Sequence, residues 1–135
     1  MIRKADLAKQ ISVTAVNKIG VLADMSKLIA EHGLNIDAVA GYATDKEAKI
    51  MLLADDTERV SDALRKAGYT PLKEDEVIVI ELENKPGALK YVTELLAAKG
   101  IDIKFTYGTV CSANCPAKLI ISTSDNDKAL VALKV

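Results

Sequence analysis

Two short segments of this sequence combine residue types that can bind a small charged molecule. They are Asn17-Lys18-Ile19-Gly20-Val21-Leu22 and Asn84-Lys85-Pro86-Gly87-Ala88-Leu89. Glycine at a turn from strand to helix lets the backbone approach a ligand closely, and the free N–H groups at the start of the helix attract a carboxylate. The asparagine amide can accept a hydrogen bond from an ammonium group and can also donate one. Both segments therefore predict a site for a zwitterion, unless asparagine only caps the turn and glycine only permits it.

The two segments belong to an internal repeat. They lie 67 residues apart, and the same offset relates three further pairs: Gly33 and Gly100, Ile36 and Ile103, and Gly41 and Gly108. After an insertion of two residues, the run 48–52 aligns with the run 117–121. Self-similarity over this length indicates two copies of one structural unit.

The hydrophobic pattern predicts the same elements in each copy. Apolar residues alternate around 11–15 and 78–82, which is typical of a strand with one buried face. An apolar stripe at helical spacing follows at 21–29 and 88–96, and Gly33 and Gly100 are expected to end these helices in the left-handed conformation. Second strands are predicted at 35–43 and 102–110, and third strands at 47–54 and 117–123. Asp55 and Asp125 are predicted to cap two further helices.

The predicted fold class is α+β, with two tandem ferredoxin-like βαββαβ modules at residues 1–72 and 77–135. The first copy gains a fourth strand at 69–72, and 73–76 is interpreted as a charged linker. The second copy ends at its second helix, so it lacks its last strand. Either its sheet has three strands, or a partner or the segment 1–8 takes the vacant place. An uncovered edge would promote pairing with another chain, which predicts a homodimer.

The first loop of each copy resembles the signature of the ACT-domain family. That signature is Asn or Asp, a variable residue, usually Pro, and then Gly-x-Leu at the turn from first strand to first helix. The second segment fits it throughout, whereas Ile19 stands in the first segment where proline is usual. The resemblance extends from about Lys9 to the end of the chain, and it implies two ACT modules that bind an amino acid.

Other families with this topology would need different residues. An acylphosphatase-like enzyme would carry an arginine in the loop, a metal-chaperone domain a C-x-x-C pair there, and an RNA-recognition domain aromatic residues on its middle strands. Neither loop contains arginine or cysteine, and the chain has one Phe, four Tyr and no Trp. No arrangement of nucleophile and base is recognisable either, so no enzymatic activity is predicted.

The resemblance implies where a ligand would lie. ACT modules commonly pair so that an effector is held by the first loop of one module and the second strand of its neighbour. Carried over, this implies Asn17–Leu22 with the strand 105–109, and Asn84–Leu89 with the strand 39–42. The strand residues singled out are Ala40, Tyr42 and Tyr107, although a tyrosine on a middle strand more often has a packing role.

Composition limits the partners further. The net charge is −1, with 18 basic and 19 acidic residues, which indicates neither a nucleic acid nor a membrane surface as partner. No targeting segment is recognisable, so a cytoplasmic location is expected. Cys111 and Cys115 are interpreted as reduced thiols, and no metal or other cofactor is predicted. The expected function is amino-acid sensing; a subunit permanently bound to a biosynthetic enzyme, like the small subunits of acetohydroxyacid synthase, is the alternative.

Overall fold

The computed structural model describes residues 1–110, 112 and 114–134, and these form two compact units. The first unit, here called the N-module, is Lys9–Asp75, and the second, the C-module, combines Met1–Ala8 with Glu76–Val135. The elements, in chain order, are β1 (Ile2–Val16), α1 (Val21–Glu31), β2 (Ile36–Ala43), β3 (Glu47–Ala54), α2 (Thr57–Lys66), β4 (Leu72–Leu82), α3 (Ala88–Ala98), β5 (Ile103–Thr109), β6 (Ala117–Thr123) and α4 (Asn126–Leu133).

The N-module is an antiparallel sheet with two helices on one face. Its strands follow the order β2–β3–β1, and the register pairs Ile11 with Leu52 and Val13 with Ile50. Paired residues in antiparallel strands point to the same face of the sheet. Those four side chains share one buried cluster with Met25 and Ile29 of α1 and with Val60 and Leu64 of α2. Both helices therefore cover the same face.

The C-module repeats this arrangement. Its strands follow the order β1–β4–β6–β5, with antiparallel pairing of β6 with both β4 and β5. One cluster joins Ile78 and Ile80 of β4 to Val92 and Leu96 of α3 and to Ala129 and Leu133 of α4. The register shifts at Ile36/Ala38 in β2 and at Ile103/Phe105 in β5, which are equivalent positions in the repeat. The predicted α+β, ferredoxin-like class is confirmed.

The long strands β1 and β4 differ from the prediction. The segment 73–76, interpreted as a linker, lies inside β4, and β1 begins at Ile2. Ala5 is buried in the core of the C-module, and the Glu83 N–H donates to the Met1 carbonyl at 2.9 Å. Local composition suggested a charged linker, but backbone pairing holds these residues in strands. The first half of β1 thus lies beside β4, where the sequence left a strand position vacant.

The helix boundaries follow the glycines and aspartates closely, with one correction. Gly33 and Gly100 both have φ of 68° and directly follow His32 and Lys99, the C-cap residues of α1 and α3. Asp125 caps α4 as predicted, but the cap of α2 is Asp56 and not Asp55. Asp55 instead accepts a hydrogen bond from the Asn35 N–H through Oδ1 at 3.0 Å.

The strand order also bears on the expected homodimer. That expectation rested on an uncovered edge at β4, and β1 lies next to β4. Self-association therefore stays a prediction without its original physical reason. No helix within the described residues has the length and apolar character needed to cross a membrane.

Candidate functional site

The two predicted loops have the same backbone geometry. Gly20 precedes α1 with φ of 90° and Gly87 precedes α3 with φ of 88°, and neither helix has a side-chain cap. The left-handed conformation at both positions is the reason for glycine, since a side chain there is strained. The first N–H groups of these helices consequently lack the side-chain partner that most helices have.

The other two helices provide an internal comparison. Asp56 accepts a hydrogen bond from the Arg59 N–H, and Asp125 accepts one from the Lys128 N–H, each within the first turn. In α2 and α4, a backbone N–H group of the first turn is thus hydrogen-bonded to a carboxylate of the chain itself. The chain leaves the start of α1 and α3, the helices behind the two loops, able to receive a carboxylate from elsewhere.

Both asparagines connect their loop to a hairpin. The Nδ2 group of Asn17 donates to the Thr44 carbonyl at 3.0 Å, and that of Asn84 donates to the Ser112 carbonyl at 3.0 Å. Each asparagine therefore has a structural role in fixing the loop. Within the described residues Oδ1 accepts no hydrogen bond, so it remains an acceptor for an ammonium group.

A cavity of about 590 Å³ adjoins the loop of the C-module. This volume lies within the range of small-molecule pockets, about 300 to 1,000 Å³. Four residues of the predicted loop line it, namely Asn84, Lys85, Ala88 and Leu89, together with Tyr107 of β5. Pro86 and Gly87 do not line it and act through the shape of the turn. The loop and β5, predicted as separate site elements, meet at one cavity within this module.

Two charged side chains at this cavity, Glu83 and Lys85, are paired with each other. The Lys85 Nζ lies 2.9 Å from Glu83 Oε2, and the N-terminal ammonium lies 3.2 Å from Glu83 Oε1. The hydrogen bond from Lys85, together with the one from the N-terminus, lowers the pKa of Glu83 below its ordinary value of 4.5. Glu83 therefore stays ionised under neutral conditions and holds the lysine at the entrance of the loop.

The N-module has a cavity of about 390 Å³. It is lined by the equivalents of Lys85 and Ala88, but its other walls differ from those of the cavity in the C-module. Lys18 and Val21 line it, and the segment 68–71 forms another wall. Asn17, Gly20, Ile19 and Leu22 do not line it, and Ile19 is fully exposed. The repeat therefore gives two related cavities of different size and direction.

The strand residues differ between the modules. Tyr107 lies in β5 stacked on Phe105, with ring centres 6.4 Å apart, and burial raises the pKa of Tyr107 to about 12. Its phenol is thus neutral at physiological pH. Ala40 and Tyr42 lie in β2, where Tyr42 is exposed, and neither lines the cavity of its own module. The pairing of each loop with the strand of the neighbouring module stays a prediction.

Several lining residues of the larger cavity were not predicted. They are Leu82, Glu83, Val110, Ala117, Lys118 and Leu119. Thr106, Gly108 and Thr109 also line it; they belong to the strand 105–109, which was predicted to meet the loop of the other module. Leu82 and Glu83 directly precede the motif, so their position could have been read from the sequence. The others come from β5, β6 and their surroundings, and only the strand pairing brings them to the loop.

The cysteine prediction is wrong for Cys115, which is disulfide-bonded. Its N–H donates to the Ser112 carbonyl at 3.1 Å, so it lies in a tight turn of the hairpin that receives Asn84. Cys111, the other cysteine of the sequence, lies outside the described residues. Within the described part of the chain, no group of three or more His, Cys, Asp or Glu side chains is arranged to hold a metal ion.

The βαββα order of antiparallel strands and the glycine turn before the first helix define a ferredoxin-like domain. Residues 9–67 match the family model of the ACT domain. The resemblance found in the sequence is therefore confirmed for this segment, which is similar to an ACT domain. The second copy, 77–135, stays a prediction from the repeat.

Solved structures support the same fold. Protein BT0572 from Bacteroides thetaiotaomicron is 27% identical, with 96% of this chain and 88% of that chain covered and a TM-score of 0.88. The ligand-free regulatory subunit of aspartate kinase from Thermus thermophilus is 16% identical, with 98% and 97% covered and a TM-score of 0.68. The same subunit from Thermus flavus is 16% identical, with 98% and 94% covered and a TM-score of 0.62. No curated protein matches the chain.

Proposed function

We propose that this protein is a regulatory amino-acid sensor without catalytic activity, and that its principal site is the loop of the C-module. One observation carries the proposal. The start of α3 has no cap, lies beside Asn84 and adjoins a cavity of about 590 Å³, whereas α4 in the same module is capped by its own aspartate.

The chemistry of an amino acid fits these groups. Its carboxylate would accept hydrogen bonds from the Leu89 and Lys90 N–H groups, in the favourable field of the helix start. Its ammonium would donate to Oδ1 of Asn84, whose Nδ2 is already held by the hairpin. Its side chain would enter the cavity. The motif recognises the groups that all amino acids share.

The loop of the N-module offers a weaker site for the same ligand. Asp24 lies in the first turn of α1, while the first turn of α3 contains no acidic residue. A carboxylate in the first turn offsets the positive end of the helix, so it competes with a bound carboxylate. Ile19 also leaves this loop less constrained than Pro86 leaves the other, and ordering it on binding lowers the affinity.

A second candidate is a regulatory subunit held permanently by a biosynthetic enzyme. The chain shares its fold, at 16% identity, with regulatory subunits of aspartate kinase. The two candidates differ in assembly, and the ligand site is common to both. Purification from the native source distinguishes them, because a permanent subunit copurifies with a large enzyme and a free sensor, monomer or homodimer, does not.

Thermal unfolding in the presence of each of the twenty amino acids tests the proposal. A ligand at a hundred times its dissociation constant stabilises the folded state by about 2.7 kcal/mol, which raises the melting temperature by several degrees. The amide of the active amino acid, which lacks the carboxylate, is the matched ligand control and should have no effect. If no amino acid raises the melting temperature, the proposal is wrong.

Two asparagine variants then locate the site. Asn84→Ala removes Oδ1 and the hairpin bond from the C-module, and Asn17→Ala makes the equivalent change in the N-module. Each loses one hydrogen bond, so both should lower the free energy of unfolding by about 1 kcal/mol. Only Asn84→Ala should abolish the response to the first amino acid bound. The opposite ranking would place the principal site in the N-module.

A further inference from the structure

We infer that the cavity of the C-module selects an amino acid with a bulky apolar side chain, and that Ala88 sets the largest size it accepts. The inference rests on the proposed function and names the ligand class of the same site. Two independent features carry it: the chemistry of the cavity wall and a difference between the two copies of the repeat.

Four polar side chains of the wall, those of Glu83, Lys85, Thr106 and Thr109, have partners within the protein. Thr106 Oγ1 donates to the Ile120 carbonyl at 3.0 Å, and Thr109 Oγ1 donates to the Val110 carbonyl at 3.3 Å. Glu83 is paired with Lys85 and with the N-terminal ammonium. To bind one of these four side chains, a polar group of a ligand would have to replace an existing bond, and it would lose its own hydration as well.

The remaining wall is largely apolar. Leu82, Ala88 and Leu119 are buried, and Leu89 and Val110 are exposed, so a ligand side chain among them would remove apolar surface from water. Lys118 also lines the cavity and is exposed to solvent, where its ammonium is hydrated. An acidic ligand side chain would form the strongest interaction with it, and L-aspartate is therefore among the test ligands.

The repeat identifies Ala88 as the residue that limits size. Val21 is its equivalent 67 residues earlier; both side chains line a cavity, and they are 7% and 9% exposed respectively. Valine has two more carbon atoms than alanine. A small side chain here leaves room for a larger ligand.

Calorimetry on the full chain tests this with five ligands: L-leucine, L-phenylalanine, L-alanine, L-aspartate and L-lysine. L-leucine or L-phenylalanine should bind most tightly. Ala88→Val should lower the affinity for that ligand by at least about tenfold and the affinity for L-alanine much less, because a hydrophobic pocket discriminates about 10- to 200-fold per methylene. An equal loss for large and small ligands would overturn the size limit.

A second variant covers the case in which Ala88→Val does not fold. Leu89→Ser trims an exposed apolar side chain of the wall, and it should weaken the binding of L-leucine several-fold. Val131→Ser is the matched control, since it trims an exposed apolar side chain of α4 in the same module, away from the cavity. Unchanged binding in Leu89→Ser, or an equal loss in Val131→Ser, would contradict an apolar wall that contacts the ligand.

The outcomes also separate the two proposals. If L-aspartate or L-lysine binds most tightly, the protein is an amino-acid sensor and the inferred ligand class is wrong. If none of the twenty amino acids binds, both the proposed function and the inferred ligand class fail. Preferential binding of a large apolar amino acid, lost in Ala88→Val, supports both.

Discussion

Replacing Gly87 by alanine separates the two roles that its turn can have. Gly87 has φ of 88°, a conformation that an L-residue adopts at a cost of about 1–2 kcal/mol. The added Cβ would lie 3.7 Å from Met1 Cε, which is an ordinary contact without a clash. The expected loss in the free energy of unfolding is therefore the backbone strain alone, about 1–2 kcal/mol.

The effect on ligand binding should be larger at Gly87 than at Gly20. Relief of the strain rotates the turn and moves the Leu89 and Lys90 N–H groups, and the new side chain blocks close approach of a ligand. Loss of one hydrogen bond to a charged group costs about 1.5–3 kcal/mol, which corresponds to about tenfold or more in affinity. Gly20→Ala has the same strain, with no atom within 4 Å of its Cβ, so its stability should fall equally.

Urea unfolding and calorimetry with the identified amino acid measure the two quantities separately. Gly100→Ala is the control, because Gly100 has φ of 68° at the end of α3, outside the loop. It should lose stability and keep full affinity. Undiminished affinity in both Gly87→Ala and Gly20→Ala would mean that the loops are turns and not sites.

Three further predictions concern single groups. Asp125→Ala removes the cap on the Lys128 N–H and should lower the free energy of unfolding by about 1 kcal/mol; no loss in urea unfolding would contradict this role. Because the folded pKa of Glu83 lies below 4.5, its ionised form stabilises the fold above that pH. The difference in the free energy of unfolding between the original protein and Glu83→Gln should vanish as the pH falls through the folded pKa. A difference that persists in acid would argue against the pairing of Glu83 with the two ammonium groups. Because the pKa of Tyr107 is raised to about 12, the contribution of its neutral form to stability is complete below pH 10.0 and is lost towards pH 12. In an absorbance titration, Tyr107→Phe should lack the phenol transition at the highest pH. An unchanged titration would refute the raised pKa.

The local features of the fold could be predicted from the sequence because each has a local cause. Gly33 and Gly100 end helices through their own backbone conformation, and Asp125 caps α4 through a neighbouring N–H. The repeat also made the order of the elements predictable, because the same assignment of strands and helices had to fit both copies. Even the shift from Asp55 to Asp56 is a displacement of one residue.

Features that depend on distant residues could not be predicted. The segments 2–8 and 73–76 look charged and irregular in isolation, and pairing between strands far apart in sequence makes them parts of β1 and β4. The candidate site shows the same division. The motif 84–89 was recognisable in the sequence. The residues 106–110 and 117–119 line the same cavity only because of the register of β5 on β6.

The central claim is that an amino acid binds at the uncapped start of α3, and amide chemical shifts test it most directly. In a titration of nitrogen-15-labelled protein with the amino acid that stabilises it, the Leu89 and Lys90 amides should shift first and furthest. The Lys128 amide, already bonded to Asp125, serves as the internal reference and should stay in place. Saturable shifts at other residues, with Leu89 and Lys90 unchanged, would contradict the claim.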